Sequence, residues 1–464
     1  MVRGIRIASA GLAALALSAP AGAEARTRPP ELTRLRCVPA TTASCRGGIS
    51  VAIGRQLQFS GRRIYKGMRV AFRWPKGALA TKLDRTRAGY VARVPPGTRA
   101  GTVSVTVSDR AGRRSNVIHI RVIAPPRFGG PLAARGSLPA PFAGAGMWIW
   151  QLPKSESGDV AAIAARAHAA GIGTVFVKSS DGAANTMGDQ FSLALVQQLH
   201  AQGLKVCAWA YVYGNDPLGE ASLAAAAVAN GADCFVIDAE SEYEGRYAAA
   251  QQYMSALRAG VGPGYPIGLT SFPYIDYHAR LPYSVFLGPG GAQVNLPQVY
   301  WRAIGGTVDA VSAHTMAHNR IYGAAIAPLG QSYGDTPPEE IDRFRSIWAT
   351  YGSGGLSWWS WQATTERGWA ALALPATPIE PLPDPGWPAL AKGNKGDEVV
   401  WLQQHLASAD PAVQVTSTFD AATDTALRNL QAARGLAVTG ATDPLTWQAV
   451  LSLAIQPHDW TMGS

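Results

Sequence analysis

Two hydrophobic periodicities divide the chain. Over residues 37–123, apolar and polar positions alternate in short runs: "ISVAIG", "QLQFSG", "RVAFRW", "YVARVP", "GTVSVTVSD" and "NVIHIRVI". Alternation with period two places every second side chain on one face, the pattern of a half-buried strand. Gly, Pro and Asp punctuate the runs at short intervals, so the segment predicts an antiparallel β-sandwich of about seven strands.

After Gly146 the pattern changes. Continuous apolar runs recur at "GMWIWQ", "TVFVKS", "KVCAWAYVYG", "DCFVIDAE", "PIGLTSF", "NLPQVYW", "YGAAIAPLG" and "GLSWWSWQ". Most are separated by Ala-rich segments with helical spacing, such as "DVAAIAARAHAAG" and "PLGEASLAAAAVANG", several closing on a Gly suited to a helix C-cap. Eight such alternations over 146–374 predict an α/β fold of the TIM-barrel type. A doubly wound sheet is the weaker alternative, because no glycine-rich phosphate loop follows the first strand. The sandwich before it resembles an immunoglobulin-like domain.

Pro-, Gly- or Arg-rich segments at 24–36, 124–145 and 375–388 read as linkers. Beyond the last, Val399, Leu402 and Leu406 stand at helical spacing, as do Leu427 and Leu430, which predicts a small helical bundle. Gly393, Gly396, Gln403, Phe419, Asp420, Thr423, Ala426, Gln431, Gly435, Leu436, Gly440, Asp443, Thr446 and Trp447 fall at fixed offsets around them. Residues 389–453 thereby resemble the type-one peptidoglycan-binding family, a three-helix module, with 454–464 as a tail. Leu430 departs from the family, which often has an aromatic there.

Charge adds an asymmetry. Residues 24–128 hold 22 Lys and Arg against Glu24, Glu31, Asp84 and Asp109, or +18, while the whole chain carries +10. A basic front and an acidic rear point to a polyanion such as an anionic wall polymer or membrane surface, rather than nucleic acid, with plain solubility the competing explanation. Arg3, Arg6 and the apolar "IASAGLAALALS" before "PAGAEA" form a leader over 1–23, cleaved or retained as an anchor, which implies a secreted or wall-associated protein. Export permits disulfides. Cys37 and Cys45 could close a small loop, and Cys207 and Cys234 fall on neighbouring predicted strands as either buried thiols or a bond.

The chemistry gathers where one apolar run ends, in "CFVIDAESEYEG" (234–245). Asp238 and Glu240 lie two apart and so project to one face, at the strand end where barrels of this type place their active sites. Two close carboxyls cannot ionise independently, and the shared proton raises one pKa toward that of a general acid. Glu242 and Glu244 follow as hydrated second choices. Aromatic residues at other strand ends, Trp148, Tyr211, Tyr300, Trp359 and Trp361, together with Gln298, are candidates for holding a sugar ring. No nucleophilic Gly-x-Ser-x-Gly, cofactor loop or metal-ligand spacing stands out. His314 and His318 are four apart in a predicted helix, but "HTMAH" has no acid between them and reads as a surface pair, so no metal or cofactor is expected.

The Asp-x-Glu resembles that of family twenty-five muramidases. It is also similar to the longer acidic motif of family eighteen chitinase-like barrels, with Asp233, Asp238 and Glu240 at three acidic positions and Val236 at a fourth. The resemblance implies Glu240 as general acid, and Asp238 as the group orienting a 2-acetamido substituent whose oxygen is the nucleophile. It implies Tyr300 and Trp361 as substrate contacts. The first strand lacks the Asp typical of family twenty-five, and Trp301 follows Tyr300 where an Asp is usual. Two functions remain open: a secreted hydrolase of peptidoglycan or a related N-acetylated glycan, and a non-catalytic wall adaptor with a degenerate barrel.

Overall fold

The computed structural model describes residues 28–38, 50–52, 56–87, 89–95, 98–123, 137–376 and 382–462. The leader, Cys45 and most of the 124–145 segment lie outside them. The chain divides into two compact units, one up to Pro126 and one from Arg127 onward.

The first unit holds two sheets. One has four strands in the order β1 (Glu31–Val38), β3 (Gln56–Arg62), β7 (Gly89–Arg93), β6 (Asp84–Thr86). The other has five: β2 (Ser50–Ala52), β9 (Ile118–Ile123), β8 (Gly101–Ser108), β4 (Arg69–Trp74), β5 (Gly77–Lys82). Pairing is antiparallel apart from β2 with β9. The alternating positions Leu57, Phe59, Val70, Phe72, Val103 and Val105 form its core. β1 begins inside the segment expected as a linker. Its register shifts between Leu32 and Arg34, so Leu32 and Leu35, three apart, are both buried. A bulge of this kind breaks the period-two signature that would have marked the strand.

The second unit is built on a closed, all-parallel barrel. Its strands run β10 (Gly144–Ile149), β11 (Ile172–Asp181), β12 (Lys205–Val212), β13 (Cys234–Ala239), β14 (Ile267–Ser271) and β15 (Val294–Val299). A split strand follows, β16 (Ala325–Ile326) and β17 (Leu329–Gln331), and β18 (Gly355–Trp359) pairs with β10 to complete the ring. Pro328, which has no N–H to offer a ladder, stands in the break. All eight predicted runs are therefore strands. Helices return each strand to the next, several begun by side-chain caps: Asp159 accepts from Ala161 N, Ser192 from Leu195 N and Asp216 from Gly219 N.

Alternation sorts the strand residues. On β13, Phe235, Ile237 and Ala239 pack outward in the shell shared with the helices. Cys234 and Val236 pack inward with Trp148, Phe176, Cys207, Trp209, Leu296 and Leu329. Cys207 and Cys234 are bonded, joining β12 to β13 where the strands run side by side with Cα atoms 4.6 Å apart.

The C-terminal helices, α10 (Asp397–Ala407), α11 (Ala421–Ala433) and α12 (Pro444–Leu451), follow the nine helices described in the barrel region. Asp420 and Asp443 cap α11 and α12 through Thr423 N and Thr446 N. The family-matching glutamines brace turns: Gln403 bonds Thr416 N and Thr418 O, and Gln431 bonds Gly440 N and Ala441 O.

This module is packed onto the barrel. The buried Asp397 carboxylate accepts from Ser284 N (2.8 Å), Ser284 Oγ (2.6 Å) and Tyr322 Oη (2.8 Å). Trp401 Nε1 donates to Ile321 O at 2.7 Å. Val399, Trp401 and Leu402 share one apolar cluster with the barrel helices. The connecting residues are docked too, with Arg320 over the Trp387 ring at 4.0 Å and 3.4 Å from Asp384.

Candidate functional site

Asp238 is the last inward-facing residue of β13, and Glu240 is the next position beyond it on the same face. Neighbouring strands bring their own ends alongside. Register pairs Asp238 with Tyr211 of β12 and Thr270 of β14, and Asp181 of β11 with Tyr211. Gln298, inward on β15, reaches across to both acids: Nε2 donates to Glu240 Oε1 at 2.9 Å and to Asp238 Oδ1 at 3.2 Å. A single amide group thus links the two carboxyls.

The electrostatics follow from burial. Asp238 is only 6% exposed, and loss of water, then the negative charge of Glu240, push its pKa well above the usual carboxylate range. Glu240 is half-buried; burial raises it as well, and the Gln298 hydrogen bond partly offsets that. Two carboxyls whose pKa values burial raises, held together at a strand end, are suited to keeping and passing a proton.

The other predicted residues divide into two groups. Tyr211 and Tyr300 are half-buried near the acids, and Trp359 is half-buried against the apolar cluster inside the barrel. Tyr211 Oη donates to Glu242 Oε2 at 2.7 Å. The Tyr300 phenol is pushed well up by burial and by Asp238, so it remains a donor. The Trp359 ring lies 5.5 Å from Trp209 and 5.8 Å from Trp148. Trp148 and Trp361 are instead buried: Trp148 stacks on Phe176 and donates to Ser357 Oγ, and Trp361 packs on Trp369 with its Nε1 3.3 Å from Glu156. They support the mouth from beneath and beside it.

Glu242 and Glu244, expected as hydrated, are half-buried and partnered. Glu242 is pushed up by burial, but hydrogen bonds from Tyr211 and Ser241 outweigh this and its pKa falls. Glu244 pairs with His278 Nδ1 at 2.9 Å. Asp233, which matched an acidic position of the longer motif, lies at the opposite end of the strand, bonded to His200 and Val206 N. Trp301 turns away from the mouth, stacking on Phe344 and donating to Glu340.

Sequence reasoning missed two groups, Lys178 and Asp181. Lys178, 5% exposed on β11, places Nζ 2.5 Å from Asp181 Oδ2 and 5.0 Å from the Trp209 ring. Tyr213 Oη donates to Asp181 Oδ1 at 2.8 Å; that bond, with burial, pushes the phenol up to about 12. The signal was available, since "KSSD" ends the second barrel run just as "DAE" ends the fourth. Elsewhere, His314 and His318 have the acidic neighbour their local sequence lacks, Asp276, 38 positions upstream of His314.

Among comparisons with known proteins, none of the curated proteins matches the chain. Several solved barrels are similar: the Bacillus cereus spore cortex-lytic enzyme (11% identity, 55% of this chain and 77% of that one, TM-score 0.39); a chitinase from Chromobacterium violaceum (13%, 50% and 98%, 0.36); and domain 2 of a Pyrococcus furiosus chitinase (11%, 52% and 94%, 0.38). Residues 395–450, covering the three C-terminal helices almost to their end, match the family model described as "Putative peptidoglycan binding domain".

Proposed function

We propose that the barrel is a glycoside hydrolase acting on peptidoglycan or a related N-acetylated glycan. The observation that carries this reading is the Gln298-bridged pair of acids, buried Asp238 and half-buried Glu240, at a barrel strand end in a chain that also bears a match to a peptidoglycan-binding domain. Glu240, the more accessible acid, gives its proton to the glycosidic oxygen as the C1–O bond breaks. Asp238 orients the 2-acetamido group, whose carbonyl oxygen bonds to C1. Water then opens that ring, returning a proton to Glu240. Tyr211, Tyr300 and Trp359 border the sugar, and Gln298 aims the acids. The reading places the protein outside the cell or at the wall, after removal or retention of its leader. No helix among the described residues is long and apolar enough to cross a membrane. The N-terminal unit is proposed as an immunoglobulin-like sandwich whose positive charge contacts anionic wall polymer.

One observation favours a binding-only barrel. Val236, fully buried inside the barrel, occupies the place of an acid in the longer motif. The test separates the two. Initial rates of reducing-end release from an N-acetylated oligosaccharide should fall by roughly 10²–10⁴ in Glu240→Gln, with oligosaccharide binding retained. A parent protein that binds such oligomers but cleaves none would establish the adaptor.

A further inference from the structure

The described residues contain one group of His and acidic side chains, away from Asp238 and Glu240, whose atoms converge as metal ligands do. His314 and His318 lie four apart on α7 (Val308–Asn319), so both rings emerge on one helix face, stacked with centroids 4.5 Å apart. Asp276, from the loop after β14, faces both: Oδ1 is 2.7 Å from His314 Nε2 and Oδ2 is 3.9 Å from His318 Nε2. The three ligand atoms all lie within 4.8 Å of one another. Ligands around a tetrahedral zinc sit about 3.4 Å apart for bonds near 2.0–2.1 Å. Bringing three atoms already within 4.8 Å of one another to that spacing takes shifts of about 1 Å.

The far side of His318 sets the chemistry. Its Nδ1 is 2.6 Å from Glu398 Oε1, a carboxylate only 10% exposed and supplied by α10 of the C-terminal module. Nδ1 therefore carries the proton and donates it to Glu398. Nε2 is then the nitrogen that faces Asp276 Oδ2, 3.9 Å away and beyond hydrogen-bond reach. A carboxylate behind a histidine whose other nitrogen faces outward is also the usual outer shell of a metal-ligating imidazole, fixing its tautomer and raising its basicity.

We infer that Asp276, His314 and His318 bind a borderline divalent ion of the zinc class, with Glu398 fixing the second histidine from behind. Two imidazoles and one carboxylate suit zinc and its transition-metal neighbours rather than magnesium or calcium, which take oxygen ligands. Water completes the coordination on the open side, where the His314 side chain is 31% exposed. The ion joins the loop after β14 to α7 and, through Glu398, holds the C-terminal module against the barrel. The inferred role is structural, since the ion and Glu398 together fasten the module to the barrel.

The test is a calorimetric titration of ZnCl2 into the chelator-treated full chain near neutral pH. MgCl2 serves as control, and native mass spectrometry supplies the stoichiometry. The parent should take up one zinc per chain and melt at a higher temperature with it, while magnesium does neither. His314→Gln and Asp276→Asn should each weaken zinc binding at least tenfold, and Glu398→Gln by about 10–100-fold. His314 is half-buried and lies outside the Asp397 contacts, so His314→Gln should fold as the parent does, and circular dichroism and metal-free melting check this. A parent that takes up no stoichiometric zinc overturns the inference. So does undiminished uptake by both His314→Gln and Asp276→Asn, which would assign the zinc to another histidine.

Discussion

Gln298 donates to Glu240 at 2.9 Å from a strand two places round the barrel, and the same amide nitrogen reaches Asp238. The two acids therefore owe their alignment to a neutral side chain that cannot itself take part in proton transfer at ordinary pH. In the proposed reaction Gln298 is a positioning residue.

Gln298→Leu should leave the fold intact and lower kcat by about 10–100-fold, the equivalent of one lost hydrogen bond to a charged group. A structural role alone would stop there. Gln298 also lowers the pKa of Glu240 against the raising effect of burial. A general acid works while protonated, so the rate falls as pH rises through that pKa. Removing Gln298 lets the pKa climb further, and the falling limb of kcat against pH should move to higher pH. An unmoved limb would show that Glu240 is not the acid whose titration limits the rate.

The eight barrel strands and the alternation on β13 were legible because apolar run length and period are local properties. So were the family-matching positions of the C-terminal helices: Val399, Leu402, Leu406 and Leu427 are all buried. What escaped the sequence was non-local. β1 hid behind a bulge that put Leu32 and Leu35 on one side. Asp276 and His314 are joined only by folding, and so are Asp397 and Ser284, 113 residues apart. A buried Asp in a run of charged residues reads as a solvated helix start until its partners are seen. The site aromatics were found by position but not sorted, since strand-end Trp residues look alike whether they line the mouth or, like Trp148, lie beneath it.

Asp397 sets a pH dependence of stability. Burial raises its pKa from 3.8 to about 6, even against hydrogen bonds from Ser284 and Tyr322. The folded state therefore holds a proton that the unfolded chain releases. Asp397's contribution is fully present below pH 3.8 and is lost as pH rises through about 6. Across that window it amounts to on the order of 3 kcal/mol. Asp397→Asn removes the titration. Urea unfolding of parent and variant between these limits should show the parent losing stability with rising pH relative to the variant, and the two curves running parallel above about pH 7. A constant difference throughout would refute the assignment.

The packed module predicts a result that a free tether would not give. With a protease site introduced between Ala376 and Leu382, cleavage should leave two fragments that co-elute on gel filtration, held by the Asp397–Ser284 and Trp401–Ile321 contacts and the shared apolar cluster. Adding Trp401→Ala, a loss of about 3–5 kcal/mol for a buried Trp, should let the fragments separate. Separation of the fragments without Trp401→Ala would mean that the contacts are too weak to hold the module in place.

If the chain grips a polymer under tension, as proposed, the bond between Cys207 and Cys234 has a mechanical meaning. Pulling unravels a protein by lengthening it, but the segment between these residues cannot be drawn out while the bond stands. Its separation of 27 residues withholds roughly 90–97 Å of contour from any extension. The two strands therefore stay joined at Cys207 and Cys234 under loads that straighten the helices outside the loop.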